Sequence, residues 1–149
     1  MTEADYNKKI AANNDRIAAL KREIAKLEDE ADALKKMKQK TAEMEEEMER
    51  VANTLSNRFS GSRTLIGTIT SFLKADVFSD ILDVLKGAEY KEATNGLDEM
   101  AGKIQKRTKE VEEEIEAKER EIKRLQSSNT SLGNQKKEFL ASQAADTNM

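Results

Sequence analysis

Two long stretches of this chain place apolar residues in alternating steps of three and four, and few folds accommodate that rhythm. The first, over 4–57, has a seam of Ile10, Ile17, Leu20, Ile24, Leu27, Ala31 and Leu34, with Asn13 as its one polar entry. From Leu34 to Met37 the step is three rather than four, and the rhythm then resumes through Thr41, Met44, Met48, Val51 and Leu55. A short step of that kind reads as a stammer, a local change of winding. The second stretch, over 95–142, is strict: Leu97, Ala101, Ile104, Thr108, Val111, Ile115, Lys118, Ile122, Leu125, Asn129, Leu132, Lys136 and Phe139. Sustained apolar seams with charges elsewhere indicate coiled-coil helices. Thr2 with Asp5 predicts a cap for the first helix, and Asn95 predicts one for the last.

Composition supports long helices. The 149 residues include no Pro, so no helix interior is forced to break. Cys, His and Trp are also absent, which removes thiol nucleophiles, disulfides, imidazole bases and zinc sites of the ordinary type. Net charge is -3, from 26 basic and 29 acidic residues, the reverse of a nucleic-acid-binding footprint. No stretch has the continuous apolar length of a membrane span, and the polar N-terminal residues give no sign of a signal peptide. The Glu-rich runs lack the loop spacing of a calcium site, and no carboxylate pair comes with a partner base. The chain reads as a non-enzyme without cofactor or metal.

The middle, 59–90, differs in kind. Between Leu65 and Leu85 there are eleven large apolar residues in twenty-one positions, and Lys74, Asp76, Asp80 and Asp83 interrupt them. This predicts one or two short helices with a broad apolar face. Gly61 is expected to break the first long helix. The whole is therefore expected to be one all-α domain: a long antiparallel, coiled-coil-like hairpin with a short apolar helical insert at the turn, and a frayed tail over 143–149. Helix ends near residues 57 and 96 would place Lys35, Lys36, Lys38 and Lys40 opposite Glu112, Glu113, Glu114 and Glu116. Glu43, Glu45, Glu46, Glu47 and Glu49 would then face Lys103, Lys106, Arg107 and Lys109. Charges beside a seam set orientation and partner, so this matching predicts the register. Met37, Met44 and Met48 read as core filler along the seam, with an adaptable partner surface as the alternative.

Phe59-Ser60-Gly61, after a long helix and before an apolar segment, resembles the Trp-x-Gly turn of the small helical-hairpin proteins of type VII (ESX) secretion. Phe stands here in place of Trp. The architecture is similar to that of the helical partners that accompany LXG toxins. Two departures stand out. The turn has no Trp, and the tail lacks the family's Tyr-x-x-x-Asp/Glu export signal; Phe72-x-x-x-Asp76 is an aromatic version of it in mid-chain. The resemblance implies an adaptor that is cytoplasmic before export, is secreted without a cleaved leader, and binds the N-terminal helical region of a larger effector. Its partner-binding residues would be Phe59, Gly61, Leu65, Ile69, Phe72, Val77, Phe78, Ile81 and Leu85. A second small helical protein or further copies of the chain could complete the bundle, with no nucleic acid and no membrane insertion. The alternative is a self-assembling structural coiled coil, such as a viral scaffolding or filament protein.

Overall fold

The computed structural model describes residues 1–66 and 87–148, and for 55–56, 59–66 and 88–89 only the helical backbone. It contains two helices, α1 over Glu3–Ile66 and α2 over Ala88–Thr147, of 64 and 60 residues. They pack against each other as an antiparallel all-α hairpin, with no strand among the described residues. Direction follows from the cross-helix pairs. Lys136 reaches Glu3 while Lys118 reaches Glu23, so one number rises as the other falls.

The start of α1 is the cap that the sequence predicts. The Thr2 backbone N–H donates to Asp5 Oδ2 at 2.7 Å, and the Thr2 hydroxyl donates to the same oxygen at 2.9 Å. In return the Asp5 N–H points at Thr2 Oγ1, 3.3 Å away. This reciprocal box satisfies amide groups that a first turn leaves without partners. The two donors hold the Asp5 carboxyl below its ordinary pKa, the backbone one most of all.

Both helices contribute to two compact units. The first comprises Met1–Asp32 and Thr108–Met149. Its core is a cluster of Ile17, Leu20 and Ile122, with Ile24 and Leu125 packed against it. Leu20 and Val111 are fully enclosed. Around that core, three polar entries of the α2 seam, Lys118, Asn129 and Lys136, meet polar side chains of α1. Asn13 Nδ2 donates to Asn129 Oδ1 at 2.8 Å, and Asn129 Nδ2 donates to Asn14 Oδ1 at 2.8 Å. Lys118 Nζ lies 2.7 Å from Glu23 Oε2. Lys136 Nζ donates to Asn7 at 2.8 Å and sits 3.0 Å from Glu3. The Tyr6 and Phe139 rings lie 6.1 Å apart near the end of the unit.

The second unit comprises Ala33–Arg107. Its buried side chains among the described residues are Leu34, Thr41, Leu97 and Ile104. Thr41 is the one buried polar residue, and its hydroxyl donates to the Met37 carbonyl at 2.8 Å. The Thr41 hydroxyl oxygen also lies 3.8 Å from the Met100 sulfur.

Four expectations are corrected. First, Gly61 does not break α1, which continues as helix to Ile66. A single glycine costs a helix about 1 kcal/mol relative to alanine, and a long proline-free helix absorbs that. Second, Asn95 is not a cap: α2 begins at Ala88, and it runs past Ser142 to Thr147. Residues 59–66 and 88–90 of the expected insert thus belong to the long helices, and 67–86 lie outside the described residues.

Third, no stammer follows Leu34. Leu20, Leu27, Leu34 and Thr41 recur at seven-residue intervals and are all buried, and Met48 continues the series half-buried. The companion line through Ile10, Ile17, Ile24 and Ala31 goes on to Lys38, Glu45 and Ala52. The heptad therefore keeps its step and loses its apolar residues. Met37, Met44 and Val51 stand one residue away, on the outside.

Fourth, the register differs from the charge-matched one by about three helical turns. With Thr41 beside Met100, the lysine run at 35–40 stands level with Lys103 and Lys106, not with the acids at 112–116. With Glu23 on Lys118, those acids stand level with Lys26, Glu28 and Asp29, not with the lysine run. Exposed ion pairs contribute only about 0.2–1 kcal/mol each. Part-buried polar groups on a seam must find partners or lose more than that, so they fix the register.

Candidate partner-binding surface

The expected site residues fall in two places. Phe59, Gly61 and Leu65 sit on the helical backbone of the last turns of α1. Ile69, Phe72, Val77, Phe78, Ile81 and Leu85 lie outside the described residues. Phe59-Ser60-Gly61 is thus a stretch of continuous helix, where the resemblance implied a turn.

The described residues offer a different surface, in the unit Ala33–Arg107. Thr41 and Leu34 are 5% and 8% exposed, whereas Met37, Met44 and Val51 are 48%, 55% and 51% exposed. These three recur at seven-residue intervals, so they form a straight apolar line beside the buried seam. On α2, Met100 stands four residues before the buried Ile104 and three after the buried Leu97, and is 47% exposed. In an antiparallel helix pair, residues just outside the seam on corresponding sides flank the same groove. The Thr41 hydroxyl, between the Met37 carbonyl and the Met100 sulfur, shows that both lines border one edge. Its three methionines are flexible and unbranched, the side-chain chemistry that accommodates a packing helix without a fixed shape.

Charge around the edge is ordered along its length. Lys36 and Lys40 flank Met37 on α1, and Glu43 and Glu47 flank Met44. On α2, Lys103 and Lys106 follow Met100, while Glu92 and Glu99 precede it. All eight are exposed, and Glu47 also pairs with Arg50 of its own helix at 3.2 Å. Because the helices run oppositely, the four lysines share one end of the edge and the four glutamates the other.

The sequence held a signal for this edge. The step of three from Leu34 to Met37 marks the point where the apolar line leaves the seam, and a change of winding was the wrong account of it. Reading Lys38 and Glu45 as seam positions would have placed the methionines outside.

Among the described residues, no group of three or more acidic side chains is arranged to hold a metal ion. Among them, too, no helix is long and apolar enough to cross a membrane. The chain matches no known family model, no curated protein and no solved structure.

Proposed function

We infer that this chain is a non-catalytic helical adaptor, which binds the helical region of a larger protein through the apolar segment between its two long helices. The observation that carries the reading is the density of the stretch 65–85, which begins in the last residues of α1: eleven large apolar residues in twenty-one positions, against about two per heptad in the arms. Side chains of this kind contribute about 1.5–3 kcal/mol each when fully buried, and large exposed apolar patches mark interfaces. The hairpin makes its own buried contacts with arm residues such as Leu20, Val111, Leu34 and Ile104. In its specific form the partner is a secreted effector of the LXG type, and the adaptor accompanies it from the cytoplasm to type VII export. Support for that form comes from the hairpin and the apolar segment, and no longer from Phe59-Ser60-Gly61, which α1 passes through as helix.

Co-expression with a candidate effector's N-terminal region tests it. Phe72→Asp and Phe78→Asp should abolish co-purification while circular dichroism reports unchanged helicity. Loss of helicity together with binding would make the segment core, and undiminished co-purification would remove it as the interface.

A second reading, a self-assembling structural coiled coil, is favoured by the exposed methionine edge. In that case light scattering would find a large homo-oligomer needing no other protein.

A further inference from the structure

We propose that the methionine edge of the unit Ala33–Arg107 binds a second copy of this chain, in an antiparallel two-fold dimer centred on the level of Thr41 and Met100. The proposal does not rest on the adaptor reading, because it uses none of the residues in 65–85.

The first observation is the exposed apolar line itself. Met37, Met44, Val51 and Met100 are each about half exposed, on a helix pair that buries one narrow seam. A heptad line beside the seam is what a helix carries when it packs against two neighbours. Covering that line turns a two-helix arrangement into a four-helix layer, which buries more apolar surface per residue.

The second observation selects the occupant. Charges on the edge are self-complementary about one point, and the two helices locate that point independently. On α1 the pair Lys36 and Lys40 and the pair Glu43 and Glu47 are centred between Thr41 and Ala42. On α2 the pair Lys103 and Lys106 and the pair Glu92 and Glu99 are centred close to Met100. Thr41 and Met100 are in contact, 3.8 Å apart, so the two centres are one level of the unit. A two-fold axis across the helices at that level sets α1 against α1 of the second copy and α2 against α2. Every lysine pair then meets a glutamate pair, and Met100 meets its own counterpart. A two-fold axis along the helices would instead set lysine on lysine. An isologous interface requires this self-complementarity, which an unrelated partner has no reason to share.

Sedimentation velocity on the full chain over a range of concentrations, with matched variants, decides the matter. The unmodified chain should form a dimer, and Met37→Glu with Met44→Glu should weaken it about tenfold or more. Lys36→Glu with Lys40→Glu should weaken it too, as should Glu43→Lys with Glu47→Lys. An equimolar mixture of these two charge variants should recover a dimer containing one of each, because both sets of contacts are then attractive. The charge variants keep the apolar line, so their association can be read even if the glutamate-for-methionine variant fails to fold. A chain that stays monomeric at every concentration overturns the proposal. So does a mixture that associates no better than its components, or a chain that assembles beyond the dimer regardless of these variants. A monomer whose melting temperature falls with Met37→Glu and Met44→Glu overturns it as well, and makes the edge internal core covered by the chain itself.

Discussion

The two units are built from the same pair of helices, yet they solve the problem of a narrow seam in opposite ways. In the unit of Met1–Asp32 and Thr108–Met149, the α2 seam carries Lys118, Asn129 and Lys136, and these three are met from α1 by Glu23, by Asn13 and Asn14, and by Glu3 and Asn7. In the unit of Ala33–Arg107, the seam positions Lys38 and Glu45 interrupt α1, and the apolar residues have moved outward to Met37, Met44 and Val51. One unit spends its polar seam residues on register; the other exposes apolar surface that register alone does not cover. The lesson is that a heptad pattern locates a helix pair, while the residues that break the pattern decide what each part of it is for.

The largest expected contrast comes from truncation. Leu20→Ala removes a fully enclosed side chain and should lower stability by about 2–4 kcal/mol. Met44→Ala, at a half-exposed position, should change it by less than about 0.5 kcal/mol in dilute, monomeric protein. Urea titration of both variants measures the difference, and comparable losses would break the distinction between the two units.

Next in size is the amide pair. Asn129→Ala removes the hydrogen bonds to both Asn13 and Asn14 and should cost about 1–2 kcal/mol. Thr41→Val keeps the volume of the buried residue in the other unit and loses a hydroxyl that bonds its own helix and otherwise meets only the weakly accepting Met100 sulfur, so it should cost less. Thermal melts of the two variants give the ranking.

A smaller effect should be the same in both units. Gly102 and Gly133 lie within α2, and a Cβ built on either meets nothing within 4 Å. Alanine at each should stabilise by about 0.5–1 kcal/mol, through reduced freedom of the unfolded chain. Unequal gains would mean that one of the two sites is not the open helix surface described.

The smallest effect is on pH. Asp5 and Glu23 both have lowered carboxyl pKa values, the first from the Thr2 donors and the second from the Lys118 hydrogen bond. A folded pKa below the unfolded one stabilises above the unfolded value, and the contribution is lost as pH falls through the folded value. Acidification through the lower carboxylate range should therefore weaken the unit that holds both groups. Glu23→Gln should shrink the fall in Tm between neutral and acidic pH, and an unchanged fall would deny Lys118–Glu23 its role.

The fold class was legible because a seam of thirteen positions from Leu97 to Phe139 keeps one period, and because Thr2 and Asp5 form a short-range cap that needs no tertiary context. The register was not legible from the charge blocks, whose individual pairs are too weak to outweigh the seam. It was available in Asn13 and Asn129, the one polar entry of the first seam before Leu34 and a polar entry of the other, which pair at 2.8 Å. The methionine edge was hidden for a related reason. Met37 and Met44 look like seam residues as long as apolar character is allowed to define the seam. Of the expected binding residues, Phe59, Gly61 and Leu65 are placed on helical backbone, and the six from Ile69 to Leu85 lie outside the described residues.

Register is the claim on which the units, the edge and the two-fold centre all depend, and disulfide trapping tests it most directly. The chain contains no Cys, so introduced pairs report without background. Asn13→Cys with Asn129→Cys should cross-link within the monomer on mild oxidation, since the two positions face each other across the seam and their native side chains are hydrogen-bonded. Asn13→Cys with Phe139→Cys, the pair suited to the charge-matched register, should not, because the second position lies about 15 Å further along α2. Rapid cross-linking of the second pair, with none in the first, would contradict the account.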